Sequence, residues 1–211
     1  VLAIGGISVA DVDDNLSSVQ LSVNDGVLNV TLSGTAAISA GSNGSNDLTL
    51  SGSLADINTT LASLTYQGNS NFNGSDTLTM LSTDSNAATD SDTVSITVNA
   101  VNDVPVSTVP ASIAVTEDVA TALTGISFAD VDAAASSVLV TLSVPSGSLS
   151  ASTGGGVTVG GTASALTLTG TVANINSFIA ASNVTYTTAA NANGSVTLTV
   201  DIDDQGHTGR G

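Results

Sequence analysis

Along most of the chain apolar residues alternate with Ser, Thr or Asn, the period-2 pattern of strands with one buried face. Residues 17–23, 28–32, 48–50, 77–81 and 93–98 follow it, and so do 138–144, 157–159, 165–168, 182–186 and 196–202. Gly, Asn and Ser clusters separate these runs, as turns require. Short strands at this spacing predict a sandwich of two sheets. One element departs from the pattern. Leu54, Ile57, Leu61 and Leu64 recur at intervals of three and four, as do Val172, Ile175 and Ile179. This spacing predicts a short helix that caps the core at one end.

The two sets of strands belong to two copies of one unit. Val9-Ala10-Asp11-Val12-Asp13 returns as Phe128-Ala129-Asp130-Val131-Asp132, and Leu64-Thr65-Tyr66 as Val184-Thr185-Tyr186. Between them Ala55-Asp56-Ile57-Asn58 matches Ala173-Asn174-Ile175-Asn176, and Asn71-Phe72-Asn73-Gly74-Ser75 matches Asn191-Ala192-Asn193-Gly194-Ser195. A period of roughly 120 residues is too long for a solenoid unit and suits an independent domain. The expected domains are residues 1–104, without the first strand of the unit, and 105–211, without its last. A chain out of phase with its own repeat reads as a piece of a longer array.

Composition narrows the partners. The chain has 211 residues, 18 acidic side chains, a single Lys or Arg and a formal net charge of −17. Neutralising nucleic-acid phosphates needs Lys and Arg, so nucleic acid is excluded. Anionic membrane surfaces would repel the same field, and no apolar run approaches the length of a spanning helix, so no membrane insertion is expected. Cys is absent. His207 has no second His or Cys to complete a zinc or nucleophilic site, and the glycines at 154–156 and 160–161 read as hairpin turns. Glu117 is the only glutamate, every other acid being Asp, which favours turns and is a common ligand for hard cations.

The run from Val98 through Asn102-Asp103-Val104-Pro105, then Thr116-Glu117-Asp118, then Ala129-Asp130-Val131-Asp132, resembles the junction of tandem cadherin-like repeats in large bacterial surface adhesins. The resemblance spans essentially the whole chain. It implies an all-β fold of two tandem Ig-like, cadherin-like β-sandwich domains, each with a short helix, and calcium held where modules join. Animal cadherin linkers carry more acids than the Asn99, Val101, Asn102 and Asp103 found here, which implies weaker affinity.

Chemistry adds its own reason for Ca²⁺, which needs about six to eight oxygens converging from several segments. The candidate ligands are Asn102 and Asp103 from the linker, Glu117 or Asp118, Asp130 and Asp132, with Asp84 from the far end of copy one. On an extended strand Asp130 and Asp132 would share a face, and Asp11 and Asp13 would do the same in copy one. The alternative for all of them is turn chemistry.

The expected function is therefore a non-catalytic structural repeat of a bacterial adhesin, secreted or at the cell surface, with Ca²⁺ stiffening the junction. Its partners would be neighbouring repeats of the same chain, with other parts of the parent gripping a glycan or protein of the cell surface or matrix. The competing reading is a carbohydrate-binding or accessory module of a secreted enzyme. Stacking rings are scarce for that role, because Trp is absent and Tyr66 and Tyr186 occupy equivalent, core-like positions.

Overall fold

The computed structural model describes residues 1–207. The chain divides into two compact units, Val1–Ala100 and a second that begins at Val101. The division falls before Asn102 and Asp103, which therefore belong to unit 2. Strands dominate both units, at 43% of residues, with two short helices.

Unit 1 contains β1 (Leu2–Ala3), β2 (Leu16–Ser22), β3 (Gly26–Asn29), β4 (Ala37–Gly41), β5 (Asp47–Ser51), α1 (Leu54–Leu61), β6 (Thr65–Gly68), β7 (Gly74–Asp84) and β8 (Thr89–Val98). Its strands form an antiparallel sheet ordered β1-β6-β3 and another ordered β4-β5-β2-β7-β8. Alternation explains the packing. Val19 and Leu21 of β2, Leu48 and Leu50 of β5, Leu28 of β3 and Tyr66 of β6 all point into one core.

Unit 2 contains β9 (Val106–Thr108), β10 (Thr121–Ala122), β11 (Ser127–Ala129), β12 (Ser137–Ser143), β13 (Ser148–Ser150), β14 (Thr158–Thr162), β15 (Ala165–Thr171), α2 (Val172–Ala180), β16 (Thr185–Thr187) and β17 (Thr199–Asp203). Its sheets run β10-β16-β13 and β14-β15-β12-β17, with a β11-β9 pair beside them. The internal repeat is thus visible as repeated topology. In each unit the helix carries the chain from the larger sheet to the smaller one, and its buried residues are Ile57, Thr60 and Leu61 in α1 and Ile175, Phe178 and Ile179 in α2.

These helices are too short to persist on propensity alone, so caps and packing hold them. Ser53 and Thr171 are the N-caps, accepting from the N–H of Asp56 and Asn174 at 3.2 Å each. Asp56 also accepts from the Thr35 backbone and hydroxyl at 2.9 and 2.6 Å. That contact requires a glycine nearby. A Cβ on Gly34, whose φ is +56°, would lie 2.2 Å from Asp56 Oδ1.

The strand expected over residues 28–32 ends at Asn29. Asn43 takes both backbone groups of Val30, at 2.8 and 2.9 Å, so that residue leaves the ladder. Residues 112–118 form no strand, and the first ladder of unit 2 uses Val106–Thr108.

A buried polar knot closes unit 1. Asp76, 3% exposed, accepts from the N–H groups of Asn24, Asp25 and Thr77 and from the Tyr66 hydroxyl at 3.0 Å. Burial pushes the Asp76 carboxyl up, but these four bonds outweigh it and hold the group below its ordinary value of 3.8. Burial, followed by the Asp76 bond and charge, pushes the Tyr66 phenol up from 10.0 to about 12. Because the Asp76 value is lowered on folding, its contribution is present above pH 3.8 and is lost as pH falls through the folded value. The Tyr66 shift acts the other way. Its contribution is complete below pH 10.0 and is lost between there and about 12. Tyr66→Phe should therefore remove the tyrosinate absorbance step near pH 12 and flatten the alkaline loss of unit 1 stability, while Asp76→Asn should flatten the acid loss. Ultraviolet titration and melts across pH check both.

Candidate cation site

In each unit an asparagine of the helix clamps the chain just ahead of the Asp-Val-Asp segment. Asn58 accepts from the N–H of Val9 and donates to its carbonyl, at 2.8 and 2.9 Å. Asn176 does the same for Phe128, at 2.8 Å for both bonds. These pairs reproduce the backbone bonding of a strand neighbour, so the side chain takes the place of a ladder. They are the physical content of the repeated Ile-Asn in the helix motif.

After the clamp the chain turns. Val12 to Asp14 form a bend and Val131 to Ala135 a turn, with Asp14 at φ 55° and Ala134 at φ 41°. This corrects the extended reading of Asp-x-Asp, because the first aspartate of each pair folds back on the backbone. Asp11 accepts from the N–H of Asp13 and Asn15, both at 3.0 Å. Asp130 Oδ1 accepts from the N–H of Asp132 and Ala133, at 2.8 and 2.9 Å. Both are Asx-type turns.

Unit 2 then ties two aspartates to the segment that precedes β9. Asp132 is 7% exposed and its Oδ2 accepts from the N–H of Asp103. The neighbouring Asn102 side chain stands against Asp204, which is 8% exposed. The Gly206 N–H at 3.0 Å, then Asn102 and the nearby His207 ring, hold the Asp204 carboxyl below its ordinary value despite burial. Among the described residues, two oxygens here, Asp130 Oδ2 and Asp204 Oδ2, are buried without a hydrogen-bond partner. A buried acceptor left unpaired is costly, and more so when charged. His207 is half-buried, with Nε2 3.2 Å from the Ser137 carbonyl.

Of the predicted ligands, Asn102, Asp103, Asp130 and Asp132 come into one corner of unit 2. Glu117 is exposed in a turn, and its neighbour Asp118 accepts from the N–H of Asn191 at 3.1 Å. Asp84 belongs to unit 1, where its Oδ1 caps a hairpin turn by accepting from Asn86 and Ala88 at 2.8 Å each. Asp11 and Asp13 sit at the matching corner of unit 1, tied to the Asp84 turn through a 3.0 Å bond from the Ser85 N–H to the Asn15 carbonyl. Asp204 was absent from the predicted set. Its signal was present, because it falls opposite Asp84 in the repeat. Among the described residues, no three Asp, Glu, His or Cys side chains stand together at metal-holding geometry. The corner does supply an all-oxygen donor set with two unpaired, buried carboxylate oxygens, the chemistry that suits a hard cation.

A family model described as Protein GAMETE EXPRESSED 2 domain matches residues 5–104. No curated protein and no solved structure matches the chain. The family match overturns the resemblance to bacterial adhesin repeats, the function built on it and the bacterial origin, since residues 5–104 are similar to a gamete-expressed family instead. The physical reason lies in the motifs. Asp-x-Asp and Thr-Glu-Asp carry turn and loop-tying bonds here, which many β proteins need, so they do not single out that family. The secreted-enzyme accessory reading falls with it. Tyr66 and Tyr186 are buried, their hydroxyls bonded to Asp76 and to the Ser146 carbonyl, so neither offers a stacking face. No described helix is long and apolar enough to cross a membrane.

Asn176→Ala should lower the stability of unit 2, and Asn58→Ala that of unit 1, by about 1–3 kcal/mol each, because each leaves a backbone N–H and carbonyl unpaired. Chemical denaturation of the two single variants checks this, with each loss confined to the unit that carries the substitution.

Proposed function

We propose that the chain is a non-catalytic pair of Ig-like β-sandwich modules in a secreted or cell-surface protein, and that unit 2 holds a Ca²⁺ ion at the corner formed by Asn102, Asp103, Asp130, Asp132 and Asp204. The observation that carries the calcium reading is the pair of buried, unpartnered oxygens on Asp130 and Asp204. A divalent cation drawn between them would satisfy both, where a protein donor would satisfy only one oxygen at a time. The ion would act within unit 2, bracing the turn after β11 against the end of β17.

The non-catalytic reading is supported by how the acids are used. Asp11, Asp76, Asp84, Asp118 and Asp130 are all engaged as acceptors for backbone N–H groups, which suits shape rather than proton transfer. The similarity of residues 5–104 supports placing the modules in a protein of the gamete-expressed kind.

Binding to the folded state alone stabilises by RT ln(1 + [Ca²⁺]/Kd), about 2.7 kcal/mol at a hundredfold excess over Kd. Millimolar CaCl₂ should therefore raise the unfolding temperature of unit 2 above its value in EDTA, with no equal response to Mg²⁺. Asp204→Asn combined with Asp130→Asn should abolish the rise. An undiminished rise in the double variant, or none in the wild-type chain, would sink the assignment.

A further inference from the structure

Seven triplets in the chain read Asn-x-Ser or Asn-x-Thr, the acceptor pattern for N-linked glycans, and they begin at Asn15, Asn29, Asn43, Asn58, Asn73, Asn183 and Asn193. A chain rich in Asn, Ser and Thr contains such triplets by chance, so what each side chain does in the fold separates them. Three of the seven use the amide nitrogen, the atom that would bear the sugar, to hold the structure. Nδ2 of Asn58 donates to the Val9 carbonyl at 2.9 Å, that of Asn43 to the Val30 carbonyl at 2.9 Å and that of Asn183 to the Phe178 carbonyl at 3.2 Å. Asn15 and Asn29 are not kept by the internal repeat. Ala134 stands in place of the first, and Ser150, paired with Thr185 as Asn29 is with Thr65, in place of the second.

The repeat treats the clamp and the turn ahead of β7 in opposite ways. At the clamp it keeps the asparagine and drops the triplet, since Asn58-Thr59-Thr60 becomes Asn176-Ser177-Phe178. At the turn it keeps the whole triplet, since Asn73-Gly74-Ser75 returns as Asn193-Gly194-Ser195. The backbone accounts for only part of what is kept. Asn71 and Asn191 take φ of 61° and 54°, and Gly74 and Gly194 take 123° and 103°, so the turn itself calls for Asn and Gly at those positions. Asn73 and Ser75 have no such role. The bonds of this segment run from the Ser70 hydroxyl to Asn71, from the Phe72 N–H to the Asn69 carbonyl and from the Thr77 N–H to Asp76. Among the described residues none involves the side chain of Asn73, which is half-buried, or of Ser75, which is exposed. The atoms that the turn leaves unused are the amide nitrogen and the hydroxyl that an acceptor needs.

We infer that Asn73 carries an N-linked glycan. The inference rests on the proposed placement of the modules in a secreted or cell-surface protein of the gamete-expressed kind, because gametes are eukaryotic cells whose secretory pathway attaches such glycans. The donor is an oligosaccharide linked to a lipid through a diphosphate. The Asn73 amide nitrogen bonds to the anomeric carbon of the sugar, the bond from that carbon to the diphosphate oxygen breaks, the amide gives up one proton and the lipid diphosphate leaves. The folded unit accommodates the product. Asn73 lies just outside the β7–β8 ladder, which begins at the pair Gly74↔Val98, so the sugar displaces no strand bond.

The whole chain, led into the secretory pathway of cultured animal cells by a supplied signal peptide, tests this directly. An empty site then counts against the acceptor and not against the reading of where the parent protein resides. Intact glycopeptides of the secreted chain are read by mass spectrometry, before and after a peptide N-glycosidase. The peptide with Asn73 should carry the mass of an N-acetylhexosamine-containing glycan and lose it to the enzyme, while the peptides with Asn43 and Asn58 carry none. Ser75→Ala, at an exposed position, should abolish the glycan on Asn73, and Ser75→Thr should keep it. A bare Asn73 in the wild-type chain, equal glycosylation of Asn43 or Asn58, or a glycan on Asn73 that survives Ser75→Ala would each overturn the proposal.

Discussion

A carboxamide standing in for a strand organises both units. Where the chain enters the acidic turn it has no ladder neighbour on the helix side, and Asn58 or Asn176 supplies the N–H and C=O that a neighbour would have given. Unpaired backbone at that depth would be costly. The helix must therefore present its asparagine at one height, which fixes its N-cap, and the cap fixes where the preceding strand ends. The aspartate two residues beyond the clamp then turns the chain by accepting its own downstream N–H groups. Helix, turn and acidic corner form one mechanical unit.

The two copies use this frame differently. In unit 1 the corner is self-contained: Asp11 spends both oxygens on turn N–H groups, and Asp84 caps its own hairpin. In unit 2 the linker residues Asn102 and Asp103 fold in against Asp204 and Asp132, and two carboxylate oxygens are buried and unpaired among the described residues. A second difference lies beneath the tyrosine. Unit 1 places Asp76 under its tyrosine, whereas unit 2 has Val196 at that position and its Tyr186 hydroxyl bonds the Ser146 carbonyl instead.

Much of the frame was legible in the sequence. The alternation of Val138, Val140 and Leu142 reports a buried face directly, and the spacing of Leu54, Ile57 and Leu61 reports a helix, because each reflects a local period. What escaped depends on contacts between distant residues. The end of β3 at Asn29 is decided by the Asn43 side chain. Short strands such as Thr121–Ala122 carry too few positions for a period to show. The corner of unit 2 was half legible. Asn102, Asp103, Asp130 and Asp132 stood out by type and spacing, but Asp204 enters only because β17 pairs with β12 through Leu139↔Asp203. Glu117 shows the opposite failure, since the right residue type in a suggestive motif lies exposed in a turn.

The most direct measurement is a crystal structure of the chain grown in CaCl₂, with anomalous difference density used to locate the ion. The account predicts a peak in unit 2 with Asp130 Oδ2 and Asp204 Oδ2 both about 2.3–2.6 Å from it. Ordered waters or protein donors on those two oxygens, with no anomalous peak at the corner, would contradict it.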